Sequence, residues 1–162
     1  GEELCLVPCD ATLHIPTPSE LAKAQADGTA GKYSDAAVHL ATHHPTTSPF
    51  IAMVLVLMAE TAKGEESEWA EYIRALPGSC ECLLGWQDDD KAELAGTSIE
   101  DLTEGASTAA AFDQEVAPKM AERPDLWPPA SANLQAFLRA AGMVQSRAFH
   151  MVAENWVTGD KQ

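Results

Sequence analysis

The chain has 162 residues, 46% of them apolar, and a formal net charge of −15. This length fits one ordinary domain with a buried core, and the composition excludes a disordered chain. Residues 65–104 contain twelve acidic and two basic side chains, so this stretch repels phosphate backbones and nucleic-acid binding is not expected. The longest apolar run, residues 49–59, is shorter than the ~20 residues of a membrane span.

The N-terminal part predicts strand, then helix, then loop. Residues 2–15, EELCLVPCDATLHI, are rich in β-compatible apolar residues and predict one or two short strands with a break at Pro8. The following PTPSELAKAQADG predicts a short helix, with Ser19 as its cap and Gly28 as its stop. Residues 28–35 then predict a loop.

Three histidines, His39, His43 and His44, include a pair four residues apart that would suit a metal on a helix. Pro45 follows at once, and no carboxylate joins them in the sequence. We therefore predict a solvent-exposed turn here and no metal site.

The four cysteines also argue against a metal. Zinc sites usually separate paired cysteines by two residues, and neither pair has this spacing, so ordinary thiols are predicted. Their small number favours a reducing compartment. The pairs are Cys5 with Cys9 and Cys80 with Cys82.

Two helices are predicted in the middle of the chain. Ser48 as a cap, Pro49 in the first turn and Gly64 as a stop enclose an apolar, central helix. The next segment, EESEWAEYIRALPG, predicts an amphipathic helix that Pro77 and Gly78 end. Its apolar face consists of Trp69, Tyr72, Ile73 and Leu76.

The second half of the chain is predicted to be helical with one proline-rich connection. A short helix breaks at Gly96, and a long helix begins at about Ser98 and is kinked or shortened by Pro118. The connection ERPDLWPPASAN follows, and from Asn133 a final long helix carries one apolar stripe. That stripe consists of Leu134, Phe137, Leu138, Ala141, Val144, Ala148 and Met151.

Two arginines, Arg139 and Arg147, stand on this last helix without an acidic neighbour in sequence, since residues 126–153 contain no Asp or Glu. A half-buried guanidinium needs hydrogen-bond acceptors. From the residues alone, Arg147 either binds an anion, binds loop carbonyls, or caps a helix C-terminus.

Five short motifs follow one another over nearly the whole chain. They are GEELCLVP at residues 1–8; the apolar helix at 49–60; Trp69, Tyr72, Leu76 and Pro77 in W-x-x-Y-x-x-x-L-P; Trp86 followed by Glu93, Leu94, Gly96 and Thr97 in E-L-x-G-T; and Ala140, Gly142, Ser146, Arg147, Ala148 and Phe149 in A-x-G-x-x-x-S-R-A-F. In this order they resemble the SET-domain protein-lysine methyltransferases of the plant Rubisco large-subunit methyltransferase class.

The resemblance implies a mainly α fold, a helical SET-insertion-like domain with one or two short N-terminal β-strands. Residues 1–17 are expected to be a residual SET-type strand segment, 18–130 the helical insertion-like region, and 131–162 a C-terminal SET-type helix and tail. The resemblance also implies that Arg147 holds the carboxylate of S-adenosylmethionine, which suits a planar fork of donors.

The same resemblance predicts what is missing. The family's glycine-rich cofactor segment precedes the first motif, its Asn-His pair and catalytic tyrosine follow the last one, and Tyr33 and Tyr72 fall in other segments. We therefore predict a catalytically incomplete SET-methyltransferase-like protein without catalytic residues or cofactor, acting as a structural or protein-interaction subunit of a larger assembly. The alternative is a fragment of an active S-adenosylmethionine-dependent protein-lysine methyltransferase, with Arg147 as cofactor ligand.

A protein partner is predicted to contact the exposed apolar residues of the LWPP loop and the acidic helices. The family works in chloroplast, cytosol and nucleus, so the resemblance leaves the intracellular location open.

Overall fold

A computed structural model of the chain describes residues 6–8, 11–78, 86, 88–99 and 108–148. Eight α-helices lie in these ranges, with short 3-10 turns at Ala30–Lys32 and Gly64–Glu66 and a π-helical turn at Phe112–Val116. The prediction of a mainly α fold is confirmed for this part of the chain. In chain order the helices are α1 (Pro18–Ala26), α2 (Asp35–His43), α3 (Pro49–Lys63), α4 (Ala70–Ala75), α5 (Asp88–Ala92), α6 (Thr108–Ala111), α7 (Ala117–Ala121) and α8 (Leu134–Arg147).

The predicted N-terminal strands are not confirmed. Residues 6–8 and 11–17 are not in a strand, and Leu6 is 82% exposed. The amide of Ala11 donates to the carbonyl of Pro8 at 3.0 Å, a local hydrogen bond and not one between strands. A strand needs a neighbour for its backbone groups, and the described ranges contain no second strand to supply one. The rest of the predicted strand segment lies outside the described residues.

The cap of α1 is Thr17 and not Ser19. The Thr17 hydroxyl accepts the backbone N–H of Glu20 at 3.3 Å, and the Glu20 carboxylate accepts the backbone N–H of Thr17 at 2.8 Å. This reciprocal pair is a capping box. Pro18 occupies the first helical position and presets its φ, so the helix already includes Ser19. Gly28 has a φ of +69°, which confirms the predicted stop.

α3 has the predicted limits and lies at the centre of the fold. Ser48 Oγ accepts the backbone N–H of Ile51 at 3.3 Å, Pro49 starts the helix, and Gly64 with a φ of +58° follows its end. The helix is apolar on most sides and must be enclosed on most sides, and α2 and α8 pack against it. It has 15 residues, and no helix among the described residues is long and apolar enough to cross a membrane.

α8 contributes the other large part of the core. It begins after Asn133, as the sequence predicted, and the Asn133 side chain accepts the Ala136 amide at 3.0 Å. Ala148 of the predicted apolar stripe is not part of it, because the helix ends at Arg147 and Ala148 is extended and exposed. Met151 lies outside the described residues. The stripe residues that are buried are Phe137, Ala141 and Val144.

The long helix predicted from about Ser98 is present only in part. Ser98 lies in a turn, α6 begins at Thr108, and residues 100–107 lie outside the described ranges. The backbone widens to a π-helical turn at Phe112–Val116, just before Pro118. Proline lacks an N–H and its ring collides with the carbonyl four residues earlier, so the wider turn absorbs the disturbance predicted as a kink.

Glu60 is a carboxylate within α3, and only 2% of the residue is exposed. The hydroxyls of Ser34 and Ser67 each donate to it at 2.6 Å, and Lys63 Nζ donates at 2.8 Å. Burial by itself raises the pKa of Glu60, but the hydrogen bonds from Lys63 and the two serines outweigh burial and hold the pKa below its ordinary value. The carboxylate thereby joins α3 to the starts of α2 and of the α4 segment.

This attachment also shortens α4 relative to the prediction. The Ser67 hydroxyl accepts the Trp69 amide at 3.0 Å while it donates to Glu60, and the Ser67 backbone is extended. The segment therefore turns at Ser67 before the helix begins, and α4 covers only Ala70–Ala75. It ends before Pro77, as predicted.

The proline-rich connection between α7 and α8 is not the exposed apolar loop that the sequence predicted. Leu126 and Trp127 are 7% and 2% exposed, and Trp127 Nε1 donates to the carbonyl of Leu55 at 2.9 Å. The indole fills the core and satisfies its polar atom at the same time, which outweighs the tendency of a proline-rich segment to stay on the surface. The predicted boundary after residue 130 stays a prediction.

Candidate functional site

Arg147, the predicted cofactor ligand, is the last residue of α8 and is exposed. Its Nη1 donates to the hydroxyl of Ser146, which in turn donates to the carbonyl of Gly142 at 2.7 Å. None of the ion pairs between described residues includes Arg147. A guanidinium carries five N–H donors, so donors remain for an anion beyond the contact with Ser146.

The backbone places Arg147 at a helix C-terminus. Ala148 follows with φ −78° and ψ 142°, so α8 ends here. A cation in the last turn interacts favourably with the unpaired carbonyls, by about 0.3–1 kcal/mol at an exposed site. Phe149 of the S-R-A-F motif lies outside the described residues. The geometry suits a cation at a helix terminus and equally an anion ligand.

Arg139 lies about two helical turns before Arg147 on α8, and it is the arginine that binds loop carbonyls. Its Nε donates to the carbonyl of Gly78 at 3.0 Å, and its Nη2 donates to the carbonyl of Pro77 at 3.2 Å. These are the residues that follow α4. Arg139 therefore fixes the end of the α4 segment to α8, and its role is structural.

Neither of the two tyrosines, Tyr33 and Tyr72, belongs to the helix that carries Arg147. Tyr33 packs edge-on against the ring of His14, with centroids 5.3 Å apart, and Lys32 Nζ lies 5.1 Å from its ring. Tyr72 is on α4 and is 48% exposed. Neither side chain is on α8.

A second cluster of chemically active side chains forms around the end of α2. The prediction of an exposed turn is wrong for His39, which lies within α2 and is 8% exposed. Its ring stacks on His43 with centroids 4.7 Å apart and meets Trp127 edge-on at 6.0 Å. Pro45 moves only the residue before it, His44, out of the helical conformation, so the helix persists through the earlier histidines.

Glu122, directly after α7, joins His39 and His44. Nε2 of His44 lies 2.8 Å from Glu122 Oε2, and Nε2 of His39 lies 4.0 Å from the same oxygen. The longer distance is not a hydrogen bond, and Nε2 of His39 is buried without a hydrogen-bond partner. One ligand atom from each residue lies within 4.8 Å of the others.

The surroundings of His39 lower its pKa. Burial lowers the pKa of His39, and the nearby His43 and Arg123 lower it further. Arg123 is itself held by Asp125, with Nε to Oδ1 at 2.8 Å and Nη2 to Oδ2 at 2.6 Å. The hydrogen bonds from Arg123 lower the pKa of Asp125 to about 2.

The sequence contained no local pattern for this cluster. Glu122 lies 78 residues after His44, and only the packing of α7 beside the end of α2 brings the two together. The prediction that no carboxylate joins these histidines is therefore wrong, because Glu122 approaches them from a distant part of the chain.

Comparisons with known proteins indicate a relationship to plant lysine methyltransferases, the SET-type class that the sequence motifs resemble. The chain is 30% identical over 106 residues to [fructose-bisphosphate aldolase]-lysine N-methyltransferase, chloroplastic, of Arabidopsis thaliana. It is 28% identical over 102 residues to ribulose-1,5 bisphosphate carboxylase/oxygenase large subunit N-methyltransferase, chloroplastic, of Nicotiana tabacum.

Both alignments cover 62% of this chain and 21% of the relative. The chain thus spans about a fifth of the length of the curated relatives it matches. No family model matches the chain, and no solved structure matches it.

Proposed function

We propose that this chain is the helical, protein-binding part of an S-adenosylmethionine-dependent protein-lysine N-methyltransferase, and that Arg147 holds the cofactor's carboxylate. The observation that carries the proposal is the exposed Arg147 at the end of α8, bonded only to Ser146 among the described contacts, in a chain related to lysine methyltransferases. Both relatives are named as chloroplastic, which supports the chloroplast as the location.

The chemistry of Arg147 fits a carboxylate ligand. S-adenosylmethionine supplies the methyl group to a lysine amine when it is bound. Arg147 contributes binding and orientation, because a planar, positively charged guanidinium donates two parallel hydrogen bonds to a carboxylate. Its neutral neighbour, the Ser146 hydroxyl, does not compensate this charge and leaves the attraction for an anion intact.

The surface around α4 supports protein binding. Arg74 pairs with two exposed carboxylates here, while two more remain without this partner and leave the surface with a net negative charge. The paired residues are Glu65 and Glu71, the others are Glu66 and Glu68, and Tyr72 lies among them at 48% exposure. A lysine-bearing segment of a substrate protein is positively charged, and this acidic surface attracts it. The substrates named for the two relatives, fructose-bisphosphate aldolase and the large subunit of ribulose bisphosphate carboxylase/oxygenase, are the first candidates.

Calorimetric titration of the natively purified protein with S-adenosylmethionine, after measurement of its intact mass, tests the proposal. We expect binding, and we expect Arg147→Ala to weaken it by about 2 kcal/mol, roughly thirtyfold, the usual loss for a hydrogen bond to a charged group. Arg147→Lys should lie between the two, since it keeps the charge and loses the fork.

Gln145→Ala is the matched control, because Gln145 is exposed in the same helical turn. It should bind like the parent protein. Absence of binding in the parent, or equal binding by the Arg147→Ala variant, would remove Arg147 as a cofactor ligand.

A catalytically incomplete protein-interaction role is the second candidate. The positions of the tyrosines favour it, because Tyr33 packs against His14 and Tyr72 is exposed on α4, so neither lies on the helix that carries Arg147. Transfer of labelled methyl groups to aldolase or to the carboxylase large subunit separates the two candidates. Retention of these proteins on the immobilised chain without methyl transfer supports the interaction role.

A further inference from the structure

We propose that His39, His44 and Glu122 form a binding site for a divalent transition-metal ion of the Zn²⁺ type, which links the end of α2 to the end of α7. The site is independent of Arg147 and of methyl transfer. Two imidazole nitrogens and a carboxylate oxygen are the donors that zinc and its neighbours in the first transition row prefer.

The buried and unpartnered Nε2 of His39 is the observation that points to a ligand. His39 is more than nine-tenths buried, and a buried ring nitrogen without a hydrogen bond costs free energy. This atom lies 4.0 Å from the Glu122 oxygen that also contacts His44. A metal ion bound between the three residues would use the lone pair that is otherwise unsatisfied.

The spacing of the ligand atoms is close to what a metal requires. Metal-bound nitrogen and oxygen atoms about 2.1 Å from a tetrahedral zinc ion lie about 3.4 Å from each other. The distances to Glu122 Oε2 are 4.0 Å from His39 and 2.8 Å from His44, one longer and one shorter than this value. Glu122 is 51% exposed, so its side chain has room to move toward His39, and the three ligand atoms already lie within 4.8 Å of one another.

Two further features prepare the site. The His39 ring is fixed between His43 and Trp127, which reduces the ordering needed on binding. The positive charge of Arg123 is balanced by its bidentate pair with Asp125, which reduces its repulsion of a cation.

Titration of the full chain with Zn²⁺ by calorimetry, and with Co²⁺ by absorption spectroscopy, tests the site. We expect one metal ion to bind per chain, and we expect the absorption spectrum of bound Co²⁺ to be that of an ion with nitrogen and oxygen ligands. His44→Ala and Glu122→Gln should each weaken binding by at least about tenfold, since even loss of an outer hydrogen-bond partner has that effect at metal sites. The matched control is Glu115→Gln, which changes an exposed carboxylate in the turn before α7 that is not one of the three proposed ligands.

Glu122→Gln is the decisive variant because Glu122 is a surface residue, and the change keeps an oxygen that can accept from His44. Its folded state is checked by circular dichroism. Cys5, Cys9, Cys80 and Cys82 lie outside the described residues, and thiolate ligands would give Co²⁺ an intense charge-transfer band. Lack of stoichiometric binding, equal binding by Glu122→Gln, or a thiolate band that persists in both variants would each overturn the proposal.

Discussion

Glu60 shows how a single ionisable residue is accommodated in an apolar helix. Its two oxygens receive hydrogen bonds from Ser34, Ser67 and Lys63, and the pKa of Glu60 is lowered even though burial alone raises it. An ionised carboxylate with this many donors stabilises the fold, whereas the protonated form loses most of the attraction to Lys63.

Acid should therefore destabilise the protein through Glu60. A group whose pKa is lower in the folded state contributes stability above its unfolded pKa of about 4.3, and this contribution is lost as the pH falls through the folded pKa. Urea denaturation between pH 7 and pH 3 measures the effect. Glu60→Gln should be less stable at pH 7 and should lose less stability on acidification than the parent protein.

Glu66→Gln is the control for this series, since Glu66 is exposed in the 3-10 turn that follows α3. It should reproduce the pH dependence of the parent protein. If Glu60→Gln also reproduces that dependence, the Glu60 carboxylate is not a source of acid sensitivity.

At the scale of the element, the N-terminus of α1 is where the sequence prediction and the structure name different capping residues, and mutation can decide between them. The sequence predicted Ser19 as the cap, and the structure has Thr17 with its capping box to Glu20. Thr17→Ala removes the hydroxyl that accepts the Glu20 amide and should cost about 1 kcal/mol of the free energy of unfolding.

Ser19→Ala is the matched variant, two residues further along the same helix. Alanine has the higher helix propensity, so this change should be neutral or should stabilise by a few tenths of a kcal/mol. Chemical denaturation of both variants gives the comparison. The reverse order of stabilities would mean that Ser19 caps the helix after all.

The helices that could be predicted from the sequence are those whose ends have strong local signals. α3 begins at Ser48 and Pro49 and ends at Gly64, and α8 begins after Asn133, all as predicted. α4 was predicted too long because the Ser67 backbone turns to bring its hydroxyl to Glu60, a partner in another helix. A tertiary contact of this kind leaves no trace in the local pattern of apolar residues.

At the scale of the whole molecule, Trp127 connects the segment before α8 to the central helix. Its indole donates to the carbonyl of Leu55 at 2.9 Å and is 2% exposed. Trp127→Ala should lower the free energy of unfolding by about 3–5 kcal/mol, because it removes a large buried ring and leaves a cavity.

Trp86→Ala is the corresponding control, since Trp86 is 37% exposed. It should change the stability much less, by roughly the ±0.5 kcal/mol typical of surface positions. Thermal and urea unfolding of the two variants measure the difference. Similar losses for both would contradict the burial of Trp127.

The candidate sites differ in how far the sequence could predict them. Arg147 could be singled out as a candidate because its whole motif lies within residues 140–149 and because residues 126–153 lack acidic side chains. The contact of His44 with Glu122 was not, because it depends on where α7 lies beside α2. The sequence predicted one exposed turn for all three neighbouring histidines. In the structure His39 is buried, whereas His43 and His44 are more exposed.

The anchored indole of Trp127 also limits how the length of this chain can change. Proline-rich connections are usually where proteases cut and where inserted residues are tolerated. Here residues inserted next to Trp127 would pull its indole away from Leu55, and a protease would reach the buried Leu126 and Trp127 only after the core had opened. Length variation and engineered insertions are better accommodated in the Ala30–Lys32 turn, where Gly31 and Lys32 are exposed.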